Sequence, residues 1–288
     1  MKSIIYTKRL ITLMLSLTVV FPTQAQSSSD SIAIHHASWT TKTISQGLTH
    51  QQVRFDNLFG GVQNINMIVM DGKADKKIEV YVGSQRAYMS DIARKEGALA
   101  AINGTYYDVK KGETNCYYRK DKDVIHTTAK EETFRVTGAI RVKKGKMKIF
   151  SWNENTENNY RKRKGTVLAS GPLLIEKGRI CSFAQQPGQG FYTTKHPRSA
   201  VGITKDKKIC LITVDGRQPQ HAIGANIYEL AYLLKQLGCV YALNLDGGGS
   251  VTLWTATAPD NGVVNSPSSN GKFDNQGERT NVSVLMIR

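Results

Sequence analysis

The stretch Val240-Tyr241-Ala242-Leu243-Asn244-Leu245-Asp246-Gly247-Gly248-Gly249-Ser250 decides how this chain reads. Its apolar half, Val240 to Leu245, has the character of a buried strand and stops on a carboxylate followed by three glycines. Glycine loses the most backbone entropy on folding, so three in succession point to positive φ angles or to a close approach by another group. A carboxylate at the end of a buried strand, beside bare backbone, can present charge to a small ligand; a tight turn is the plainer alternative. Immediately upstream, Ile227 to Leu237 reads as the surest helix of the chain. Asn226 can cap its first turn and Glu229 occupies the capping-box position. Ile227, Leu230, Ala231, Leu234 and Leu237 share one face, and Gly238 ends the helix.

Moving outward, Arg198 to Ile203 and Lys208 to Val214 form a hairpin around Lys205-Asp206-Lys207 that runs into Asp215-Gly216. Tyr88 to Glu96 reads as a helix closed by Gly97, followed by an apolar strand, Ala98 to Ile102, ending at Asn103-Gly104. Period-two patterning marks Thr40 to Ile44, Gln51 to Phe55, Asn64 to Met70 and Ile78 to Val82 as strands. Phe134 to Val142 and Lys146 to Trp152 make a hairpin at Lys144-Gly145, with further strands at Thr166 to Ser170 and Leu173 to Ile175. Ala256 to Arg279 is loop-rich, and Asn281 to Ile287 closes the chain as a strand. The expected fold class is α+β: a mixed, largely antiparallel sheet core with a few packed helices, in one domain over residues 39–288. Three strand ends then present Asn103, Asp215 and Asp246.

Lys2, Lys8 and Arg9 precede the apolar run Leu10 to Phe21, and Thr23-Gln24-Ala25 supplies small residues for a cut after Ala25. Residues 1–25 therefore read as a secretory signal peptide, which predicts export to the periplasm or the medium. Residues 26–38 read as a polar N-terminal tail, disordered over Gln26 to Asp30. No later segment is apolar for about 18 residues, so no membrane span is expected in the mature chain. The 39 lysines and arginines outnumber 23 acidic residues, a formal net charge of +16. Two basic runs, Lys143-Lys144-Gly145-Lys146-Met147-Lys148 and Arg161-Lys162-Arg163-Lys164, read as solvated hairpin edges or as attractors of polyanions. Export argues against nucleic acid as a partner and favours phosphate-bearing or acidic glycans. Cys116, Cys181, Cys210 and Cys239 lack metal-site spacing, and their spacing does not choose among disulfide pairings.

Around the three strand ends the sequence supplies carboxylates, guanidinium groups and an amide. Arg217 follows Asp215, His196-Pro197-Arg198 opens the neighbouring strand, and Glu278-Arg279 precedes the last one. No nucleophile elbow, paired metal histidines or Walker loop is present. Arginine grips phosphate through two parallel hydrogen bonds and keeps its charge. Paired carboxylates are the usual equipment for an oxocarbenium-like transition state. A phosphate ester leaves as a stable anion, so arginine can take over the task of a general acid. Each residue also has a plain structural role open to it: Asp in a turn, Arg in an ion pair, Glu278 beside a lysine, His196 in a loop.

Six motifs occur here in one order: Ala101-Ile102-Asn103-Gly104-Thr105-Tyr106-Tyr107, Ser170-Gly171-Pro172-Leu173-Leu174, His196-Pro197-Arg198-Ser199-Ala200-Val201-Gly202, Val214-Asp215-Gly216-Arg217-Gln218, Leu243-Asn244-Leu245-Asp246-Gly247-Gly248-Gly249-Ser250 and Glu278-Arg279. The series, from about residue 98 to 288, resembles the phosphodiester glycosidase family. The resemblance implies hydrolysis of a sugar-1-phosphodiester at the anomeric bond, with N-acetylglucosamine as the model sugar. Carried over by position, Asp246 and Glu278 are expected at the anomeric centre, and Arg198 and Arg217 on the phosphate. Asn103 and the backbone of Gly247, Gly248 and Gly249 are expected to fix sugar and phosphate oxygens. Asp215 completes the catalytic set or orients an arginine. Ser269 stands where an acidic residue is expected in relatives. No cofactor is expected. Two other functions remain open: a phosphodiesterase that cleaves the P–O bond with a divalent cation on Asp215 and Asp246, and a phosphoglycan-binding module without turnover.

Overall fold

The computed structural model describes residues 28–161, 164–183 and 189–288. The signal peptide expected at residues 1–25 lies outside the described residues. The chain builds three large sheets in which every pairing between described strands is antiparallel. An eight-stranded sheet takes its centre from Gly61–Met70, Ile209–Val214, Arg198–Thr204 and Cys239–Asn244, in that order. A four-stranded sheet sets Ala100–Asn103 between Leu253–Thr255 and Asn281–Ile287, and a five-stranded sheet is built on the hairpin Gly138–Lys143 and Lys146–Ser151. The α+β class expected from the sequence is the one observed.

One apolar core joins the sheets. Ile68, Val201, Leu211 and Leu243 of the large sheet pack with Ile102, Leu253 and Leu285 of the four-stranded sheet and Ile140 and Ile149 of the five-stranded one, all buried. The large sheet is buried on both faces at its centre, so Ile209–Val214 is apolar at almost every position rather than alternating. Its other face is covered by the helix Ile227–Gln236, whose Ile227, Leu230, Ala231, Leu233 and Leu234 are all buried. The capping box forms as its sequence dictates: Asn226 Oδ1 accepts from Glu229 N at 2.9 Å, and Glu229 Oε2 accepts from Asn226 N at 2.8 Å.

The disorder expected over Gln26 to Asp30 does not hold for its described residues, which begin a helix. Ser28–His35 is a helix whose Ile34 is buried in the core, and Asp30 accepts a hydrogen bond from Phe59 N at 3.1 Å. Its polar residues hid a single apolar anchor. The four cysteines are free thiols. Among the described residues no helix is long and apolar enough to cross a membrane.

Candidate active site

Asp246 lies two residues past the strand Cys239–Asn244, and its backbone is clamped at both ends. Its N–H donates to Gly104 O at 2.9 Å, and its carbonyl accepts from Asn103 Nδ2 at 2.7 Å. The Asn103 Oδ1 is occupied as well, by Ser199 Oγ at 2.6 Å and Thr252 N at 3.2 Å. Asn103 is fully buried and ties the four-stranded sheet to the large one. It positions Asp246 rather than facing a ligand, so the expected contact with sugar or phosphate oxygens is not what the structure gives it.

The glycine run serves close approach. A Cβ on Gly248, which sits at φ +61°, would stand 2.9 Å from Arg217 Nη2. On Gly249 it would stand 2.6 Å from Ser269 Oγ and 3.3 Å from Arg279 Nη1. Gly248 N is spent on Pro197 O at 2.9 Å, whereas Gly247 N is directed at the Asp246 carboxylate. Three loops thus reach one turn through space that only glycine leaves open.

Burial pushes the Asp246 carboxyl above the usual carboxylate range, against the pull of the Ser250 hydroxyl, the Arg279 and Arg135 charges and the Gly247 N–H. Arg279 also donates through Nη2 to Ser250 Oγ, so serine and arginine hold the carboxylate together. Arg135 is gripped from behind by Glu132 and lies 3.8 Å from the centre of the Tyr106 ring. Burial lowers the Arg135 pKa, but Glu132, Tyr106 and Asp246 outweigh it and hold the guanidinium protonated. The Tyr106 phenol donates to Gly171 O, which also accepts from Asn244 Nδ2 at 2.8 Å.

Arg198 is buried, with Nε on Ala225 O at 2.9 Å and Nη2 on Phe191 O and Thr194 O at 3.0 and 2.9 Å. Burial pushes it down to about 10, with the Arg135 and Arg217 charges adding to the effect. It remains a cation at neutral pH. His196, beside Arg198 and Arg217, is lowered by burial and by both charges. Arg217 is exposed, at φ +63°, and has no ion pair among the described residues.

Asp215 differs in kind. It is buried, and its oxygens accept from Asn64 Nδ2 at 2.6 Å, Asn265 Nδ2 at 3.0 Å and Ser266 N at 3.1 Å. Burial raises its pKa while these donors pull it down. No arginine touches it among the described residues; it clamps two loops to the sheet. A cation between Asp215 and Asp246 does not fit these partners, since one carboxylate is filled by N–H donors and the other lies among guanidinium groups. Glu278 also departs from expectation. Both its oxygens go to Ser90, Oε1 from the N–H at 2.8 Å and Oε2 from the hydroxyl at 2.6 Å. It caps the helix Met89–Lys95, whose own N-cap residue Tyr88 makes no side-chain cap bond. Both Glu278 oxygens are thus engaged at the helix end, and Arg279, its neighbour, is the residue that reaches Asp246.

Residues 96–288 match the phosphodiester glycosidase family. The chain belongs to that family. Over 179 residues it is 28% identical to the N-acetylglucosamine-1-phosphodiester alpha-N-acetylglucosaminidase of Bos taurus, 58% of this chain and 33% of that protein. Over 100 residues it is 36% identical to the SPbeta prophage-derived uncharacterized protein YomE of Bacillus subtilis (strain 168), 30% of this chain and 15% of that one. It thus spans about a third or less of the length of the curated relatives it matches. The auto-inhibited catalytic domain of the zebrafish N-acetylglucosamine-1-phosphodiester alpha-N-acetylglucosaminidase shares the fold, with a TM-score of 0.65 and 20% identity over 88% of each chain.

Within this phosphodiester glycosidase domain, sequence reasoning missed Arg135, Tyr106 and Ser250 as partners in the Asp246 constellation. Tyr106 and Ser250 stand inside quoted motifs, next to the residues that were singled out. Arg135 had no signal: it follows Phe134 in an ordinary polar–apolar stretch, and only the fold brings it to Asp246. Ser269 Oγ donates to Gly249 O at 3.1 Å, which makes it a buttress of the glycine turn.

Proposed function

We propose that this chain hydrolyses the glycosidic bond of a sugar-1-phosphodiester to free sugar and a phosphomonoester. The observation that carries the reading is one carboxylate, Asp246, held between the charges of Arg279 and Arg135, with Arg217 against Gly248 and Arg198 against Gly247 of the same turn. A single carboxylate among guanidinium groups suits a substrate whose reacting carbon bears a phosphate. Asp246 meets the developing positive charge at the anomeric carbon and its attacking water. As the C1–O bond breaks, its electron pair leaves on the phosphate oxygen, where the arginines stabilise it. The phosphomonoester departs as an anion, so no second carboxylic acid is needed to protonate it, in keeping with Glu278 serving as a helix cap. The signal-peptide pattern read in residues 1–25 supports export, and the name of the Bos taurus relative supports N-acetylglucosamine-1-phosphodiester groups of phosphorylated glycans as the substrate.

The test is hydrolysis of an alpha-N-acetylglucosamine-1-phosphodiester in water enriched in oxygen-18. Label in the released sugar is expected. Label in the phosphate, with sugar-1-phosphate as product, overturns the assignment in favour of P–O cleavage.

A further inference from the structure

The two basic runs of the sequence take no part in the Asp246 site, and the fold brings described residues of both to one place. In the five-stranded sheet, Gly138–Lys143 and Lys146–Ser151 turn at Lys144-Gly145, and Tyr118–Lys120 and Asp123–His126 turn at Asp121-Lys122. Thr166–Ser170 starts between these turns, with Thr166 level with Val142 on one side and Lys120 on the other. Gly165 N donates to Asp121 Oδ1 at 2.9 Å, and Arg141 Nη2 donates to Lys164 O at 2.7 Å, so the segment is tied to both neighbours.

This end of the sheet carries an open cleft of about 710 Å³, lined by Lys122, Lys143, Lys144 and Lys164 together with Asp121 and Asp123. All four lysines are exposed, and none has an ion pair among the described residues. Four lysines against two aspartates leave the cleft positive, and Arg141, bonded to Lys164 O, adds a charge beside it. Protection of a sheet edge accounts for Lys146 and Lys148, which stand on the outermost strand. It does not account for Lys143 and Lys164, which end and precede interior strands. Like charges gathered in this way repel one another, and an anionic partner offsets that cost.

The shape of the cleft narrows the partner. Neighbouring strands lie about 5 Å apart, so the cations step across the strand ends as the charges of a linear chain do. Lysines are point charges on flexible stems and follow charges that are unevenly placed. The cations line a cleft instead of a flat face, so a lipid surface reaches only its rim. None of the described residues lining it is aromatic, which leaves nucleic-acid bases no ring to stack on. The opposite ends of the same strands are the ones that face the Asp246 strand: Ser170 Oγ donates to Asn244 O at 3.0 Å. Ser170 is level with Gly138, five residues or roughly 17 Å along the strand from Lys143. We propose that this cleft is a second binding site, apart from Asp246, that holds a linear anionic glycan on Lys122, Lys143, Lys144 and Lys164.

The probe is a heparin octasaccharide, and the first readout is acetylation of lysine amines by a limiting reagent, followed residue by residue by mass spectrometry. Lys122, Lys143, Lys144 and Lys164 are expected to be protected, while the exposed Lys205 of the large sheet keeps its reactivity. The arginines beside Asp246 carry no amine and do not register. By calorimetry, Lys122→Gln, Lys143→Gln, Lys144→Gln and Lys164→Gln combined should weaken binding by about tenfold or more and flatten its salt dependence. Arg217→Gln should do neither. Uniform protection of all exposed lysines, or a combined variant that binds as the wild type does, overturns the proposal. Tighter binding of anionic phospholipid vesicles, or of a single-stranded oligonucleotide of equal charge, overturns the assignment to a glycan. None of these measurements depends on turnover, so failure of the glycosidase reading is distinguishable from failure of this one.

Discussion

Two aspartates end neighbouring stretches of this chain in the same way, apolar strand, carboxylate, glycine, yet the fold gives them opposite surroundings. Asp215 follows Ile209–Val214 and is filled by amide donors from Asn64, Asn265 and Ser266. Asp246 follows Cys239–Asn244 and lies among guanidinium groups, with its backbone rather than its carboxylate held by the amide of Asn103. Amides fix a carboxylate without making it reactive, because both its oxygens are already engaged by N–H donors. Guanidinium groups keep it ionised and at the same time hold positive charge ready for a substrate anion. The difference separates a carboxylate that builds loops from one that can do chemistry.

Exchange of the two aspartates is the sharpest way to break this contrast. Asp246→Asn should lower kcat/KM on a sugar-1-phosphodiester by about 10³-fold or more, roughly 4 kcal/mol. Its melting temperature should move by no more than about 2 °C. Asp215→Ala leaves three buried donors unpaired and should cost about 3 kcal/mol of stability. That corresponds to a fall of roughly 6–10 °C in Tm for a chain of this size, while the folded fraction should keep its turnover within about tenfold. Parallel thermal melts and steady-state kinetics check both; the reverse pattern would exchange the roles of the two residues.

The arginines divide along the same line. Arg217 is exposed and without an ion pair among the described residues, so Arg217→Gln should leave Tm unchanged and reduce kcat/KM by about 10²-fold, near 2.7 kcal/mol. Arg198 satisfies the carbonyls of Phe191, Thr194 and Ala225, and Arg198→Gln should lose stability together with activity. Equal losses of stability in the two variants would mean that Arg217 also holds the fold.

Much of this was legible in the sequence because local patterns and tertiary packing agree. The capping box at Asn226 and Glu229, the strand Asn281–Ile287 and the hairpin around Lys205 formed as read, since apolar periodicity and end signals pointed the same way. The glycine run was rightly read as a place of close approach, although the approaching groups are Arg217, Ser269 and Arg279 of the protein itself. Asn103 and Glu278 were noticed for their chemistry, but a residue type does not say which way it points. The amide of Asn103 turns inward to a carbonyl, and Glu278 turns to a helix end that has no cap of its own. Arg135 was out of reach because Asp246, on which its charge acts, lies far along the chain.

The raised pKa of Asp246 sharpens the contrast in solution. Asp246 must be ionised to act, so a pKa held up by burial places the acidic limb of kcat/KM above the ordinary aspartate value of about 3.9. Removing a nearby cation weakens the pull that opposes burial. Arg135→Gln, paired with Glu132→Gln so that no charge is stranded, should therefore move the limb to higher pH. A pH–rate profile of the double variant checks it, and a limb displaced toward acid would show that Arg135 does not act on Asp246.

The smallest effect belongs to Glu278, and it tests whether one carboxylate is enough. If Glu278 only caps the helix Met89–Lys95, Glu278→Gln keeps an oxygen for one Ser90 donor and should cost about 1 kcal/mol of stability. Turnover should stay within about threefold, because the phosphate leaving group needs no proton from it. A loss of 10²-fold or more in kcat at unchanged Tm would mean that Glu278 leaves Ser90 when substrate binds and joins Asp246. The same substitution on a sugar linked to a poor alkoxide leaving group separates the two cases further. A true acid would be missed far more on the alkoxide than on the phosphate, whereas a cap would be missed equally on both.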